Sequence, residues 1–319
     1  MLGSSPERNE RALRAAIATA LAAVAIVPLA TTTTGCLFGN CRSGFQSQSY
    51  TVTFTACAAD AGGVAPDGGA CPSSCDEACA DLKPSGESGF GECADFDAGS
   101  VALTPGASVT VACQTAINCT GRKLDGLAAP FVRGEPLGAW LARAAWLEAS
   151  AVHAFRRLAR ELRAHGAPAE LVRAARASAR DEVRHARVMS ALAKEHGAAV
   201  PRVEAPSFEV RDLETIAREN AVEGCVSESY GAVVAAWQAS CSNDADVAHA
   251  MASIAPDELR HAALGWAVHA WAEQRLELDA RERVRRARDE AAAALLREAR
   301  ETREEHALAS AMASLLWAA

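Results

Sequence analysis

The hexapeptide at residues 181–186 returns, with a single change, at residues 257–262. Each copy contains a Glu-x-x-His, formed by Glu182 with His185 and by Glu258 with His261. On a helix, this i, i+3 spacing places a carboxylate and an imidazole on one face. The repeat therefore predicts two helices that each present a Glu–His pair to the same kind of site.

Two further glutamates fit the same arrangement. Glu148 precedes Glu182 by 34 residues, and Glu223 precedes Glu258 by 35. Residues that are equally far from the turn of an antiparallel helical hairpin lie level with each other. Each lone glutamate is therefore predicted to face a Glu-x-x-His across its own hairpin.

Turn signals lie close to both midpoints. Residues 165–168 read His-Gly-Ala-Pro, a helix stop followed by a helix breaker, and residues 241–244 read Cys-Ser-Asn-Asp. The third helix offers two competing ligands, Glu219 and Glu228. Neither reproduces the spacing of the first hairpin, so the prediction names Glu223.

Apolar residues recur at helical spacing in all four segments, and the candidate ligands lie in the stripe that should turn inward. Burying four carboxylates together costs several kcal/mol per ion, and a pair of divalent cations is the simplest compensation. On this reasoning, Glu182→Gln should stabilise the metal-free protein. A single Glu-x-x-His is more often a solvated pair on a helix surface, and the duplication is what favours metal. The predicted ligands are Glu148, Glu182, His185, Glu223, Glu258 and His261.

Three other side chains lie near these ligands in the sequence. Asp181 and Asp257 each precede a histidine by four residues, so each is predicted either to hydrogen-bond that imidazole or to be solvated on the helix surface. Tyr230 lies on the inward stripe of the third helix. It is interpreted as an aromatic core residue or as a redox-active group beside the metal.

The fold class is predicted to be mainly α, a four-helix bundle over residues 137–278. Residues 197–212 contain two prolines and form the one long crossover that such a bundle needs. Residues 121–136, rich in Gly and Pro, form a linker in front of the bundle. Residues 279–319 are predicted to be C-terminal helices that pack on it.

The segment from about 137 to 275 resembles the ferritin-like superfamily of di-iron carboxylate bundles, which includes rubrerythrins and demethoxyubiquinone hydroxylases. Residues 221–230 are similar to the third-helix glutamate segment of those hydroxylases. The whole chain is most similar to bacterial lipoproteins that carry a ferritin-like domain. The resemblance implies that the six ligands bind two iron ions, and manganese would suit the same donors.

The amino terminus has the layout of a secretory signal peptide over residues 1–35. A basic region around Arg8 and Arg11 precedes an uncharged run at 15–30, and small residues then lead to Cys36. Cys36 is predicted to be lipidated after cleavage, although Thr33 departs from the usual lipoprotein pattern. Cleavage near residue 30 is the alternative. The apolar run is barely long enough to span a membrane.

Residues 36–120 are predicted to form a small extracytoplasmic domain with some β-structure, held by disulfides. Strand-like alternation occurs in Ser49–Ala56 and Ser100–Ala112. Excluding Cys36, this region contains eight of the chain's eleven cysteines: Cys41, Cys57, Cys71, Cys75, Cys79, Cys93, Cys113 and Cys119. A metal cluster is the alternative, but paired Cys-x-x-Cys knuckles are missing. Cys225 and Cys241 are too far apart on one continuous helix to bridge each other.

Two functions follow from these features. The first is an oxidoreductase or ferroxidase that uses oxygen or peroxide at a di-iron or di-manganese site in the cell envelope. The alternative is a non-enzymatic, metal-binding or structural envelope lipoprotein, with or without an occupied site. The net charge of −8 provides no basic surface for nucleic acid. The expected partner is a membrane, through the N-terminal lipid; a homodimer is compatible with this architecture, and no electron donor or substrate can be named.

Overall fold

The structure, a computed structural model, describes residues 3, 5–25, 50–55, 91–93, 108–115, 122, 124, 127, 132, 136–298 and 303–318. These residues are mainly helical, as the sequence predicts. Clustering of the chain gives two compact units, Cys41–Asn118 and a larger unit made of Met1–Asn40 and Cys119–Ala319. All candidate metal ligands belong to the larger unit.

The helices of the larger unit follow one another with short turns and one long connection. In chain order they are α1 (Pro6–Ala25), α2 (Pro136–Ala164), α3 (Ala169–Glu195), α4 (Leu213–Glu219), a π-helical segment (Asn220–Ser227), α5 (Glu228–Cys241), α6 (Ala245–Glu273), α7 (Leu278–Glu298) and α8 (Arg303–Ala318). None of the described helices combines the length and apolar character needed to cross a membrane.

Helices α2 and α3 form the first hairpin, and its turn lies where the sequence predicts it. Gly166 has a φ of 68°, a conformation that glycine adopts without a steric penalty. The N–H of Ala167 donates to the carbonyl of Leu162 at 2.9 Å, which satisfies one of the last carbonyls of α2. Pro168 then starts α3. These local contacts reverse the chain within four residues.

The second hairpin pairs α5 with α6, and its turn also agrees with the sequence signal. Helix α5 ends at Cys241, and Asp244 caps α6 by accepting hydrogen bonds from the N–H groups of Asp246 and Val247, both at 3.0 Å. The preceding helix α4 is capped in the same way by Asp212, which accepts from the N–H of Thr215 at 2.9 Å. Side-chain caps therefore fix where both helices begin.

A buried ion cluster attaches the end of the crossover to the bundle. Arg211 donates to both oxygens of Glu161, at 2.8 and 3.0 Å, and to Glu219 at 2.6 Å. Glu219 also accepts a hydrogen bond from Arg157. A ring nitrogen of His165 lies 2.7 Å from the carbonyl oxygen of Arg211. Helices α2 and α4 are thereby joined through the chain that connects the two hairpins.

Two apolar clusters fill the larger unit. The first joins α2 and α3 to α6 and α7 and includes Phe155, Leu171 and Trp271. The second joins α1, α5, α6 and α8 and includes Tyr230 and Trp266. Both clusters involve helices that carry candidate ligands, so apolar packing holds those helices in place on either side.

Helix α1, which lies within the predicted leader, packs on α5, α6 and α8. Leu13 and Ala20 are fully buried on its inner face. Asn9 is also buried, and its amide donates to the carbonyl of Gly3 at 2.6 Å and to that of Ala263 at 3.3 Å. Helix α7 contacts α4 and the π segment, and α8 contacts α1 and α5.

The smaller unit contains an antiparallel sheet of β1 (Tyr50–Thr55), β2 (Gly91–Cys93) and β3 (Ser108–Thr115), in the order β1-β3-β2. Strand β1 lies within its predicted segment, and β3 overlaps its predicted segment from Ser108 and extends to Thr115. The side chains of the cysteines predicted to form disulfides, and the lipidation site at Cys36, lie outside what the structure describes. In the larger unit, Cys225 is a buried free thiol and Cys241 is disulfide-bonded.

Candidate metal centre

Four helices bring acidic and imidazole side chains to one place in the larger unit. Two groups of ligand atoms each lie within 4.8 Å of one another. The first group is Glu148 from α2, Glu182 and His185 from α3, and Glu258 from α6. The second group is Glu228 from α5 with Glu258 and His261 from α6. Because Glu258 belongs to both groups, the two are adjacent parts of one cluster.

Both imidazoles turn the same ring nitrogen towards the carboxylates. The Nδ1 atom of His185 lies 3.2 Å from Glu258, 3.5 Å from Glu182 and 3.7 Å from Glu148. The Nδ1 atom of His261 lies 3.0 Å from Glu182 and 3.6 Å from Glu258. Glu182 and Glu258 therefore contact both histidines and occupy the middle of the cluster.

Glu228 completes the second group. Its Oε2 atom lies 3.9 Å from Nδ1 of His261, and its side chain is fully buried. Glu148 lies at the opposite end of the cluster, and 22% of its side chain is exposed. Carboxylates at the two ends thus flank a central pair that is shared by the histidines.

The structure brings Glu228, which the sequence offered as a competitor of Glu223, into this cluster. The π segment shifts the helical register, since the N–H of Glu228 donates to the carbonyl of Glu223, five residues back. Residues five apart lie about 140° apart on an α-helix, whereas one π-helical turn brings them towards the same face, which a count by α-helical turns does not anticipate. Glu223 is half-buried and belongs to neither group of ligand atoms among the described residues.

The position of the second turn also favours Glu228 as the ligand. The second hairpin turns between Cys241 and Ala245, so its centre is Asn243. Counting back from that centre by its distance to Glu258 gives residue 228. The spacing taken over from the first hairpin pointed to a centre near 240 and hence to Glu223.

Each hexapeptide supplies an aspartate to the histidine of the other copy. Oδ2 of Asp257 lies 3.1 Å from Nε2 of His185, and Oδ2 of Asp181 lies 3.7 Å from Nε2 of His261. The predicted partner was the histidine four residues along the same helix, and the crossed pairing replaces it. The first contact is a hydrogen bond, and the second is an ion-pair distance.

Two arginines join these aspartates across the helices. Arg260 donates to Asp181 at 3.1 Å and also to Asp257. Arg184 donates to Asp181 at 3.2 Å and forms an ion pair with Asp257. Both guanidinium groups are about half exposed. The two aspartates and two arginines of the hexapeptides therefore form one connected group of ion pairs on the outer side of the imidazoles.

Phe155 packs against one of the two imidazoles, that of His261. Its ring centroid lies 4.9 Å from that of His261. Tyr230, which the sequence suggested for this role as one of two readings, lies in the second apolar cluster with Trp266. The alignment of the two hairpins had paired Phe155 with Tyr230, but it did not show which of them reaches a histidine.

Burial and mutual repulsion make two of the carboxylates hard to ionise. Burial, helped by the nearby Glu182, raises the pKa of Glu148 well above its usual range. Burial and the charge of Glu258 raise the pKa of Glu228 in the same way. In the metal-free protein, the two ends of the cluster therefore tend to hold protons.

The centre of the cluster behaves in the opposite way. Burial opposes charge on the histidines, but the surrounding carboxylates outweigh it and raise the pKa of His185 to about 12 and that of His261 to about 10. Burial likewise opposes ionisation of Glu182, yet the two imidazoles lower its pKa below the usual range. At neutral pH, Glu182 is the shared counter-ion of two imidazolium groups.

Five buried atoms that face this cluster have no hydrogen-bond partner: Oε2 of Glu182, Nδ1 of His185, Oε2 of Glu228, Oε1 of Glu258 and Nδ1 of His261. Buried polar atoms are nearly always satisfied, so such a group requires an explanation. Carboxylate oxygens and imidazole nitrogens are donors that divalent iron and manganese accept. The residues present thus fit a pair of such ions.

Comparison of the chain with protein families, curated proteins and solved structures gives no match.

Proposed function

We propose that this protein binds two divalent metal ions, iron or manganese, between its two helical hairpins, in the manner of the ferritin-like superfamily. The supporting observation is the convergence of five unsatisfied, buried ligand atoms from three helices. Glu182 and Glu258 are suited to bridge the ions, because each contacts both histidines.

The remaining ligands form two pairs, one at each end of the cluster. Glu148 and His185 would hold one ion, and Glu228 and His261 the other. Asp257 fixes the ring of His185 through Nε2, which leaves Nδ1 facing the carboxylates, where it could bind an ion. This arrangement uses the same ring nitrogen of both histidines.

The chemistry of such a centre is oxidation–reduction with oxygen or peroxide, so the proposed activity is that of an oxidoreductase or ferroxidase. The protein's own part is to hold the ions, orient the imidazoles and move protons. Both imidazoles are in the positively charged imidazolium form in the metal-free protein at neutral pH, since their pKa values are raised. Metal binding must therefore release these protons.

The proposal places the protein in the cell envelope of a bacterium, attached through a lipid on Cys36. It is supported by the leader-like sequence at residues 1–35 and by the cysteine-rich segment that follows. Cleavage before Cys36 would also remove α1, which packs on α5, α6 and α8. The mature protein would then begin with the cysteine-rich domain.

One observation favours the non-enzymatic alternative. The side chains of Glu182, His185, Glu228 and His261 are at most 2% exposed, whereas those of Glu258 and Glu148 are 10% and 22% exposed. A closed site of this kind is typical of a metal that holds a bundle together. The two functions differ in whether oxygen is consumed.

Metal analysis and an oxygen electrode test both functions. Purified protein should contain close to two iron or manganese ions per chain, and His261→Ala should lose them. Glu170→Gln is the matched control, because Glu170 is exposed on the same helix as Glu182. Oxygen uptake on addition of Fe²⁺ would support the enzyme, and two bound ions without uptake would support the structural role. Wild-type protein that binds no transition metal would refute both.

A further inference from the structure

Arg122, which precedes the helical bundle, is buried beside the second metal position. Only 2% of it is exposed, although most arginines of this chain lie at the surface. Its backbone N–H donates to Oε1 of Glu228 at 2.9 Å. A residue outside the hairpins thereby holds one oxygen of a candidate ligand.

The side chain of Arg122 is anchored on three elements. Its Nη2 atom donates to Oδ1 of Asn220 at 2.7 Å, and Asn220 donates in turn to the carbonyl of Gly265 on α6 at 2.8 Å. The guanidinium also lies over the ring of Phe155, with its carbon 5.2 Å from the centroid. Phe155 is the residue that contacts His261.

Glycine at position 224 makes room for this anchor. A Cβ atom there would overlap Nη2 of Arg122 and Oδ1 of Asn220. Gly224 lies in the π segment, between the competing glutamates at 223 and 228. The π segment thus provides the space for Arg122 and directly precedes the ligand Glu228 that Arg122 holds.

Stability alone does not account for a buried guanidinium at this place. The Nε and Nη1 atoms of Arg122 are buried and have no hydrogen-bond partner among the described residues. Such groups cost free energy, and apolar residues of similar volume are often as stable or more stable. The position of Arg122 is therefore better explained by what it holds.

We infer that Arg122 is a positioning residue for the second metal position. This inference rests on the proposed metal centre. The N–H of Arg122 occupies Oε1 of Glu228, so that Oε2, which has no hydrogen-bond partner, faces the cluster near His261. Among the six ligands that the structure brings together, the described contacts of Arg122 reach Glu228 alone. The first metal position, at Glu148 and His185, should not depend on it.

Titration of the metal-free, full-length protein with Co²⁺ tests this inference. Wild type should bind two ions. In Arg122→Met, which keeps the backbone N–H but removes the guanidinium that anchors it, one ion should bind as in wild type. The second ion should bind about 10–100-fold more weakly, the usual effect of losing the outer partner that orients a ligand. The melting temperature of the metal-free variant should equal or exceed that of wild type, which a merely structural role would not allow.

Two further variants accompany it. Arg160→Met is the matched control, because Arg160 lies over Phe208 at 5.5 Å in the same kind of stack but at the surface. It should bind both ions normally. Gly224→Ala should displace Arg122 from the other side and reproduce the selective loss of the second ion.

The possible outcomes distinguish failure of the role of Arg122 from failure of the metal centre on which it rests. Wild-type protein that binds no Co²⁺ would refute the metal centre itself. If wild type and Arg122→Met both bind two ions with equal affinity, the metal centre stands and the role of Arg122 is refuted. Equal weakening of both ions, or a lower melting temperature without metal, would assign Arg122 a structural role and also overturn the inference.

Discussion

Replacement of Glu182 by Gln in the metal-free protein should destabilise it by about 3 kcal/mol at pH 7, the low end for breaking a buried ion pair. Its two oxygens lie 3.0 Å from Nδ1 of His261 and 3.5 Å from Nδ1 of His185. Both imidazoles are charged at this pH, because their pKa values are raised. The variant therefore removes the counter-ion of two buried cations.

The magnitude follows from the distances. At an effective dielectric constant of 20, each Glu182–imidazolium contact is worth about 5 kcal/mol. Loss of hydration offsets several kcal/mol per ion, and losing one partner of a buried pair typically costs about 3–5 kcal/mol. The lower value applies here because Glu258 still lies 3.2 Å from His185 and 3.6 Å from His261.

Glu228→Gln is the informative comparison, because it removes a charge from the same cluster with the opposite consequence. Burial and Glu258 raise the pKa of Glu228, and its distance to His261 is 3.9 Å. Its neutral form is thus already favoured, and the variant should be as stable as wild type or up to about 1 kcal/mol more stable. The repulsion argument from sequence alone had assigned this behaviour to Glu182, and the contacts of Glu182 reverse it.

Thermal unfolding of chelator-treated protein measures both effects. A loss of about 3 kcal/mol lowers the melting temperature by about 6–12 °C in a domain of this size. A histidine with a raised pKa adds stability that is complete below about pH 6.5 and is lost as the pH rises through the raised value. The destabilisation by Glu182→Gln should therefore shrink as the pH passes about 10, where His261 loses its proton. A Glu182→Gln variant as stable as wild type at pH 7, or a loss that is independent of pH, would refute this reasoning.

Three further predictions concern the metal, its support and the anchor. Metal binding should tighten as the pH rises and release about four protons per chain, one each from His185, His261, Glu148 and Glu228, because ligands bind metal in their deprotonated form. Calorimetry in two buffers of different ionisation enthalpy counts these protons; no proton release would mean that the imidazoles are neutral and the carboxylates ionised. Asp257→Asn should weaken metal binding about tenfold, measured by competition with a chelator, since it removes the charge beside Nε2 of His185; unchanged affinity would contradict that role. Cys36→Ala should abolish labelling by a radioactive fatty acid and release the protein from membranes, whereas equal labelling of both proteins would exclude lipidation at this residue.

The sequence was sufficient to predict most of the site because its signals are local or periodic. The Glu-x-x-His spacing depends only on helix geometry, and the inward stripe of each helix depends only on its period. The turn at Gly166 is determined by residues next to it. Of the six predicted ligands, the structure brings Glu148, Glu182, His185, Glu258 and His261 together.

The sixth ligand could not be predicted in the same way, because it depends on a local departure from the α-helix. Counting by α-helical turns assumes that each residue advances by the same angle, and the π segment Asn220–Ser227 breaks that assumption. The contact of Arg122 with Glu228 spans 106 residues and has no periodic signal. The one sequence feature that favours Glu228 is the turn centred on Asn243, which lies 15 residues from both Glu228 and Glu258.

The crossed aspartates explain why the repeat comprises the whole hexapeptide and not only its metal ligands. Asp257 contacts His185 of the other copy, Asp181 approaches His261 of the other copy, and each arginine joins both aspartates. A single Asp-Glu-x-Arg-His on one helix would leave its aspartate and arginine without these partners. Two copies on neighbouring helices give each aspartate and arginine a partner and hold the ring of His185 by a hydrogen bond. The duplication of the whole hexapeptide is therefore explained by contacts between the two copies, which two separate Glu-x-x-His motifs would not make.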